Sequence, residues 1–179
     1  MIITSSTDGY CKVLELSGLR LLRNLCFRVS ESEKNNYCIR GIRYDRRNRH
    51  LFTIQSPMRG STYLTKWDLN TFSPINTVKA SDKIVISMDY SESRGKLALG
   101  GSESDLIFFD AGSLSKAKSF NLGQNSVKTV CFGENILMAG TTDNALIMNN
   151  IYGSSPISIS TILKLLILAL FIYYLKTKA

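Results

Sequence analysis

Along the first 150 residues, short apolar runs alternate with polar turns, and the runs have the period of strands. The clearest case is Ser91-Glu92-Ser93-Arg94-Gly95, a polar turn, followed by the apolar Lys96-Leu97-Ala98-Leu99 and by Gly100-Gly101, read as a glycine turn. Ser102 to Asp110 then carries a second apolar run, Leu106-Ile107-Phe108-Phe109, that ends in an aromatic-Asp pair. Strand, tight turn and strand make a β-hairpin, and the same order recurs on both sides of this one.

Towards the N-terminus, Asp8-Gly9 is a turn dipeptide ahead of the alternating Tyr10-Cys11-Lys12-Val13-Leu14. Leu21 to Val29 predicts a further strand and Ser30 to Asn36 a charged loop. Cys38 to Asp45 and His50 to Gln55 predict two strands joined by the turn Arg46-Arg47-Asn48-Arg49; Pro57 to Ser61 is a loop before the strand Tyr63 to Asp68. A later copy runs through Val127 to Phe132, Asn135 to Gly140 and Thr142 to Met148.

The copies keep a fixed spacing. Trp67-Asp68 and Phe109-Asp110 stand 42 residues apart, as do Tyr90 and Phe132, while Tyr44 and Tyr90 are separated by 46. A four-stranded propeller blade takes about 40–45 residues. The expected fold class is therefore all-β: a partial β-propeller of about three to four blades over residues 1–150, followed by one C-terminal transmembrane α-helix. Rings of this kind close with roughly 4–8 blades, because an open one leaves strand edges unpaired. So short an array points to further blades upstream or to a partner that completes it.

The end of the chain has a different texture. Residues 151–156 read as a linker, and the 19 residues from Ile157 to Leu175 are apolar apart from Lys164 and a few hydroxyls. As a helix rising ~1.5 Å per residue they would span about 28 Å, close to the hydrocarbon thickness. Tyr173 and Tyr174 fall at an aromatic belt, with Lys176 and Lys178 beyond it. Lys164 costs on the order of 2.5–3.5 kcal/mol at a helix centre. The apolar residues after it offset this at roughly 0.3–0.6 kcal/mol each, which favours a spanning helix over an interfacial or buried one. The lysines alone would place the tail in the cytosol. The N-terminus, however, shows no basic and apolar leader that would carry 150 residues across, so the expected topology is tail-anchored, with the N-terminal domain cytosolic and 176–179 luminal.

Charge and cysteine content add little. The net charge of +8 suits an anionic partner, and much of it sits in Arg40, Arg43, Arg46, Arg47 and Arg49. Alternation through strand, turn and strand scatters these side chains over different faces, which favours a solvated turn over a phosphate-binding patch. Cys11, Cys26, Cys38 and Cys131 have neither CxxC spacing nor a histidine cluster, so they read as reduced, buried thiols and no metal site is expected. His50 is the only histidine and has no nucleophile at a suggestive spacing. Trp67 and Phe109 are expected to pack between blades, and Gly95, Gly100, Gly101 and Gly140 to serve turns. None belongs to a GxxxxGK phosphate loop.

The order Leu51-Phe52-Thr53-Ile54-Gln55-Ser56-Pro57, Tyr63-Leu64-Thr65-Lys66-Trp67-Asp68, Ile86 to Glu92 and Leu97-Ala98-Leu99-Gly100 resembles a diverged WD-repeat family over about residues 38–112. These are the endoplasmic-reticulum guanine-nucleotide exchange factors for the Sar-type small GTPase of coat protein complex II, the prolactin regulatory element-binding protein family, and a C-terminal anchor agrees with them. The resemblance implies a seven-bladed cytosolic propeller on the endoplasmic-reticulum membrane, with the Golgi membrane as a second location. Its partners would be the GTPase and the coat machinery, and its role ER-Golgi transport. Such a factor stabilises the nucleotide-free GTPase over the bound form and needs no covalent chemistry, so the chain is expected to regulate a GTPase rather than to be an enzyme. In the family the exchange loop, ordered by a potassium ion, belongs to an N-terminal blade. Read by its repeats, this chain starts after that blade, so the resemblance assigns it no catalytic residue and no cofactor. The alternative is a non-catalytic WD-repeat scaffold of secretory membranes; nucleic-acid binding through the arginines is disfavoured by the anchor.

Overall fold

The computed structural model describes residues 1–26, 37–58, 60–123, 125–134, 136–150 and 157–158. They form fifteen strands in four antiparallel sheets. The first holds β1 (Ile2–Ser5), β2 (Tyr10–Leu14) and β3 (Leu21–Cys26); the second, β4 (Cys38–Asp45), β5 (His50–Ser56), β6 (Thr62–Asp68) and β7 (Ser73–Ser81). The third holds β8 (Val85–Ser91), β9 (Lys96–Gly101), β10 (Asp105–Asp110) and β11 (Lys116–Asn121); the fourth, β12 (Val127–Phe132), β13 (Ile136–Thr141), β14 (Leu146–Asn150) and β15 (Ile157–Ser158). Every sheet is a simple meander in which each strand pairs with the next in sequence.

Strand alternation decides how the sheets stack. In β5, Phe52 and Ile54 join Leu64 of β6 in a core with Leu97, Leu99, Ile107 and Phe109 of the third sheet. The intervening Leu51, with Trp67 of β6, turns the other way and packs on Cys11, Val13 and Leu25 of the first sheet. The third sheet repeats this, with Ala98, Leu106 and Phe108 directed at Val127, Val130, Leu137 and Ala139 of the fourth. The middle strands are thus buried on both faces, which explains the unbroken apolar runs Leu97-Ala98-Leu99 of β9 and Leu106-Ile107-Phe108-Phe109 of β10, while β5 also buries Thr53 and Gln55. Trp67 and Phe109 do pack between adjacent sheets, as expected. Within the described residues the array is not closed into a ring, since contacts link only successive sheets, chiefly through their first strands.

The 42- and 46-residue steps are visible in the backbone. A register shift falls near the start of the first strand in the second, third and fourth sheets, leaving Arg40, Ile86 and Lys128 unpaired between flanking pairs. A β-bulge of this kind sharpens the local twist, and its recurrence shows that the repeat is one of geometry as well as of composition. The turns after β6 and β10 also match, with Phe72 (φ 56°) and Leu114 (φ 57°) both left-handed.

The aromatic-Asp pairs now have a physical account. The aromatic ring enters the core, while Asp68 accepts hydrogen bonds from the Asn70 amide at 2.7 Å and the Thr71 hydroxyl at 3.1 Å. Asp110 does the same for the Gly112 and Ser113 amides, both at 3.0 Å. Each carboxylate caps the turn leading to the fourth strand. Trp67 donates its indole N–H to Thr53 Oγ1 at 2.9 Å, and Thr53 donates in turn to Gln55 Oε1 at 2.8 Å. Gln55 Nε2 reaches Thr65 Oγ1 at 2.5 Å. This chain satisfies the polar atoms that the second sheet buries on its side facing the first.

Three expectations need correction. Gly100, Gly101 and Gly140 are not turn residues but lie inside β9 and β13; of the four, only Gly95 (φ +58°) sits in a turn. They stand where another chain segment approaches too closely for a side chain. Cys131 is exposed rather than buried, whereas Cys11 is fully enclosed and its thiol is pushed up to about 12 by burial. β1, β7, β8 and β11 carry no strand expectation; β7 and β11 are the outermost strands of their sheets, and with both faces wet they lack alternation. Finally, Ile157–Ser158, where the anchor was expected to begin, is a strand paired with Ile147 and Met148. The rest of the expected linker, anchor and tail, and the loop 30–36, lie outside the described residues. Among those described, no helix is long and apolar enough to cross a membrane.

Candidate functional site

The turn between β4 and β5 and the start of β5 meet the loops after β8 and β10 around a cleft of about 270 Å³. Its lining is polar: Asp45, Arg47, Asn48, His50 and Lys66 from the second sheet, and Tyr90, Glu92, Arg94 and Asp110 from the third, with Gly95, Ala111 and Gly112. Two residues singled out in the sequence, His50 and Arg47, come together here.

Asp45 ends β4 and is almost fully buried. It accepts from the Asn48 amide at 3.2 Å and from Asn48 Nδ2 at 2.8 Å. Burial alone would raise its carboxyl, but the Asn48 bonds, the Tyr90 hydroxyl and nearby His50 outweigh this and hold it low. The same contact, after burial, pushes the Tyr90 phenol up to about 12. His50 Nδ1 lies 4.0 Å from Asp45 Oδ2. Burial and the neighbouring Lys66 charge lower the imidazole below its ordinary value, against the opposing pull of Asp45 and Asp68.

Lys66 was missed in the sequence. It is on the same face of β6 as Leu64, opposite Phe52, and is only 7% exposed. Its ammonium crosses to the third sheet and donates to the Gly112 carbonyl at 3.0 Å. A lysine at an inward position of an apolar strand is the signal that could have revealed it.

The other arginines are dispersed, as alternation predicts. Arg43 Nε pairs with Asp89 Oδ1 at 2.7 Å, and Arg40 Nε donates to Ser56 Oγ at 2.7 Å. Arg46 and Arg49 face solvent. Arg94 reaches the Glu134 carbonyl and Ser91 Oγ. Asp110 bonds Lys96 Nζ at 3.0 Å. Among the described residues no group of three or more His, Cys, Asp or Glu side chains could hold a metal ion.

Asp110 supplies a pH test. The Ser113 amide, the Lys96 ammonium and the Ser113 hydroxyl lower its carboxyl to about 2. A depressed folded value means stabilisation that is present above the unfolded value near 3.8 and lost as pH falls towards 2. Asp110→Asn is therefore expected to be less stable than the parent at about pH 6 and to lose that deficit by about pH 2. Denaturant midpoints across this range check it; a deficit independent of pH would show that the carboxylate charge contributes nothing.

The cleft thus offers a buried ammonium and further hydrogen-bond donors. Comparison of the chain with models of known protein families and with curated proteins returned no match, so its functional reading stands on the fold, this cleft and the resemblance within its repeats.

Proposed function

We propose that the four stacked meanders are consecutive blades of a WD-repeat β-propeller, and that the chain is a membrane-attached guanine-nucleotide exchange factor for a Sar-type small GTPase of the endoplasmic reticulum. The observation that carries the first part is the division of the middle strands' side chains between two neighbouring sheets in the second and third sheets, with the same bulge repeated at 46 and 42 residues and the same turn at 42. The second part is supported by the segments that resemble the exchange-factor family and by the apolar stretch 157–175. Such a protein acts by binding: loops at the rims of rigid sheets hold a partner, and preference for the nucleotide-free GTPase speeds release.

The test is release of labelled GDP from a purified Sar-type GTPase on liposomes, with and without the full chain. Acceleration of tenfold or more supports exchange activity. Binding without acceleration leaves the scaffold, and neither binding nor acceleration removes the GTPase from the account. Recovery of the chain in the alkali-resistant membrane pellet is the accompanying expectation for the anchor.

A further inference from the structure

We propose that the cleft between the second and third sheets is an oxyanion site that takes a phosphate group against the ammonium of Lys66. This goes beyond the GTPase reading and does not depend on it.

Lys66 carries the argument. An ammonium has three N–H donors, and a buried one normally faces a carboxylate, because leaving a charge in the interior unpaired costs several kcal/mol, on the order of what a single pairing restores. Here one donor goes to the Gly112 carbonyl, and among the described residues Lys66 makes no ion pair. The carboxylates lining the same cleft are engaged elsewhere. Asp45 is held by Asn48 and Tyr90, Glu92 accepts from the Arg47 amide at 3.2 Å, and Asp110 is bonded to Lys96, Gly112 and Ser113. The site therefore holds a buried cation with two unused donors, while each carboxylate beside it already accepts at least one hydrogen bond from another group.

Two other groups suit a phosphate. The Arg47 guanidinium lines the cleft and makes no hydrogen bond or ion pair among the described residues. His50, whose imidazole burial and the Lys66 charge hold below its ordinary value, would become a further donor on gaining a proton beside a bound dianion. Lysine and arginine together are the usual equipment for phosphate, the first as a point charge and the second as a planar fork. A purely structural lysine, tying two sheets through Gly112, would show the same bond but would leave the cleft indifferent to anions.

The single histidine makes the test direct. Inorganic phosphate is titrated into the full chain in neutral-detergent micelles at constant ionic strength, and the imidazole resonance is followed by NMR. Saturable shifts are expected, with the His50 titration midpoint moved upward by at least half a pH unit. Both effects should fall at least fivefold in Lys66→Met, which keeps the apolar stem, and in Arg47→Gln, whose exposed side chain can be changed without unfolding risk. Arg46→Ala, outside the cleft, should behave as the parent. Acetate that works as well as phosphate would overturn the assignment. So would shifts matched by chloride, or shifts that persist in Arg47→Gln and Lys66→Met alike.

Discussion

Gly101→Ala is expected to destabilise the protein by about 3 kcal/mol, at the upper end of the range for overpacked sites. At this chain length that lowers the melting temperature by roughly 6–12 °C. A Cβ at this position would stand 2.2 Å from the Ile84 carbonyl oxygen and 2.6 Å from Val85 Cα, and both are main-chain atoms. Ile84 already accepts from the Ser102 amide at 2.9 Å, so β8 cannot retreat without giving up that bond. Gly100 differs in an instructive way. Its Cβ would meet Val127 Cγ1 at 2.4 Å, a side-chain atom of the fourth sheet. Gly100→Ala should therefore be partly rescued by Val127→Ala, and Gly101→Ala should not. Gly18→Ala, with nothing within 4 Å, serves as the neutral reference. Thermal unfolding of the set decides the matter: rescue of Gly101→Ala by Val127→Ala would mean that the close approach lies between sheets rather than between β9 and the start of β8.

The second large effect belongs to Asp89. Its Oδ1 accepts from Arg43 Nε of the second sheet and its Oδ2 from the Phe132 amide of the fourth, each at 2.7 Å, so one carboxylate of β8 ties three sheets together. Ser87 adds to the second link by accepting from the Val130 amide at 3.0 Å. Asp89→Ala leaves a main-chain N–H without its acceptor and should cost about 2–4 kcal/mol, counting the charged bond and the orphaned donor. The Arg43 side chain is 43% exposed. Its ion pair alone is worth at most about 1 kcal/mol, so Arg43→Ala should be much milder. Asp89→Asn, which can still accept from Phe132, should fall between. Equal losses for Asp89→Ala and Arg43→Ala in urea titrations would place the energy in the ion pair and sink the assignment to the main-chain bond.

Both positions show what a reading of residue types misses. Gly100-Gly101 follows an apolar strand and reads as a turn, because glycine is commonest where the chain bends. Only the tertiary contacts reveal that these residues continue β9 and that their missing side chains make room for the fourth sheet at Gly100 and for the start of β8 at Gly101. Asp89 looks like an ordinary polar residue in a strand whose other members alternate; its role depends on two residues 46 and 43 positions away. Lys66 is similar, since its strand reads as core and its ammonium finds Gly112 46 positions later. The sequence supplied two members of the cleft as candidates, His50 and Arg47, but not the fact that they share one.

What the sequence determined by itself is local and repetitive. Alternation and turn residues placed ten of the strands, and the 42- and 46-residue steps predicted sheets of the same make, because each unit must bury both faces of its middle strands and only a copy on either side can do so. The tertiary structure alone decided which alternate residue meets which neighbour, where main-chain segments come too close for a Cβ, and which buried charge is left facing a cleft. Those outcomes depend on contacts between residues far apart in the chain, and neither composition nor spacing records such distances.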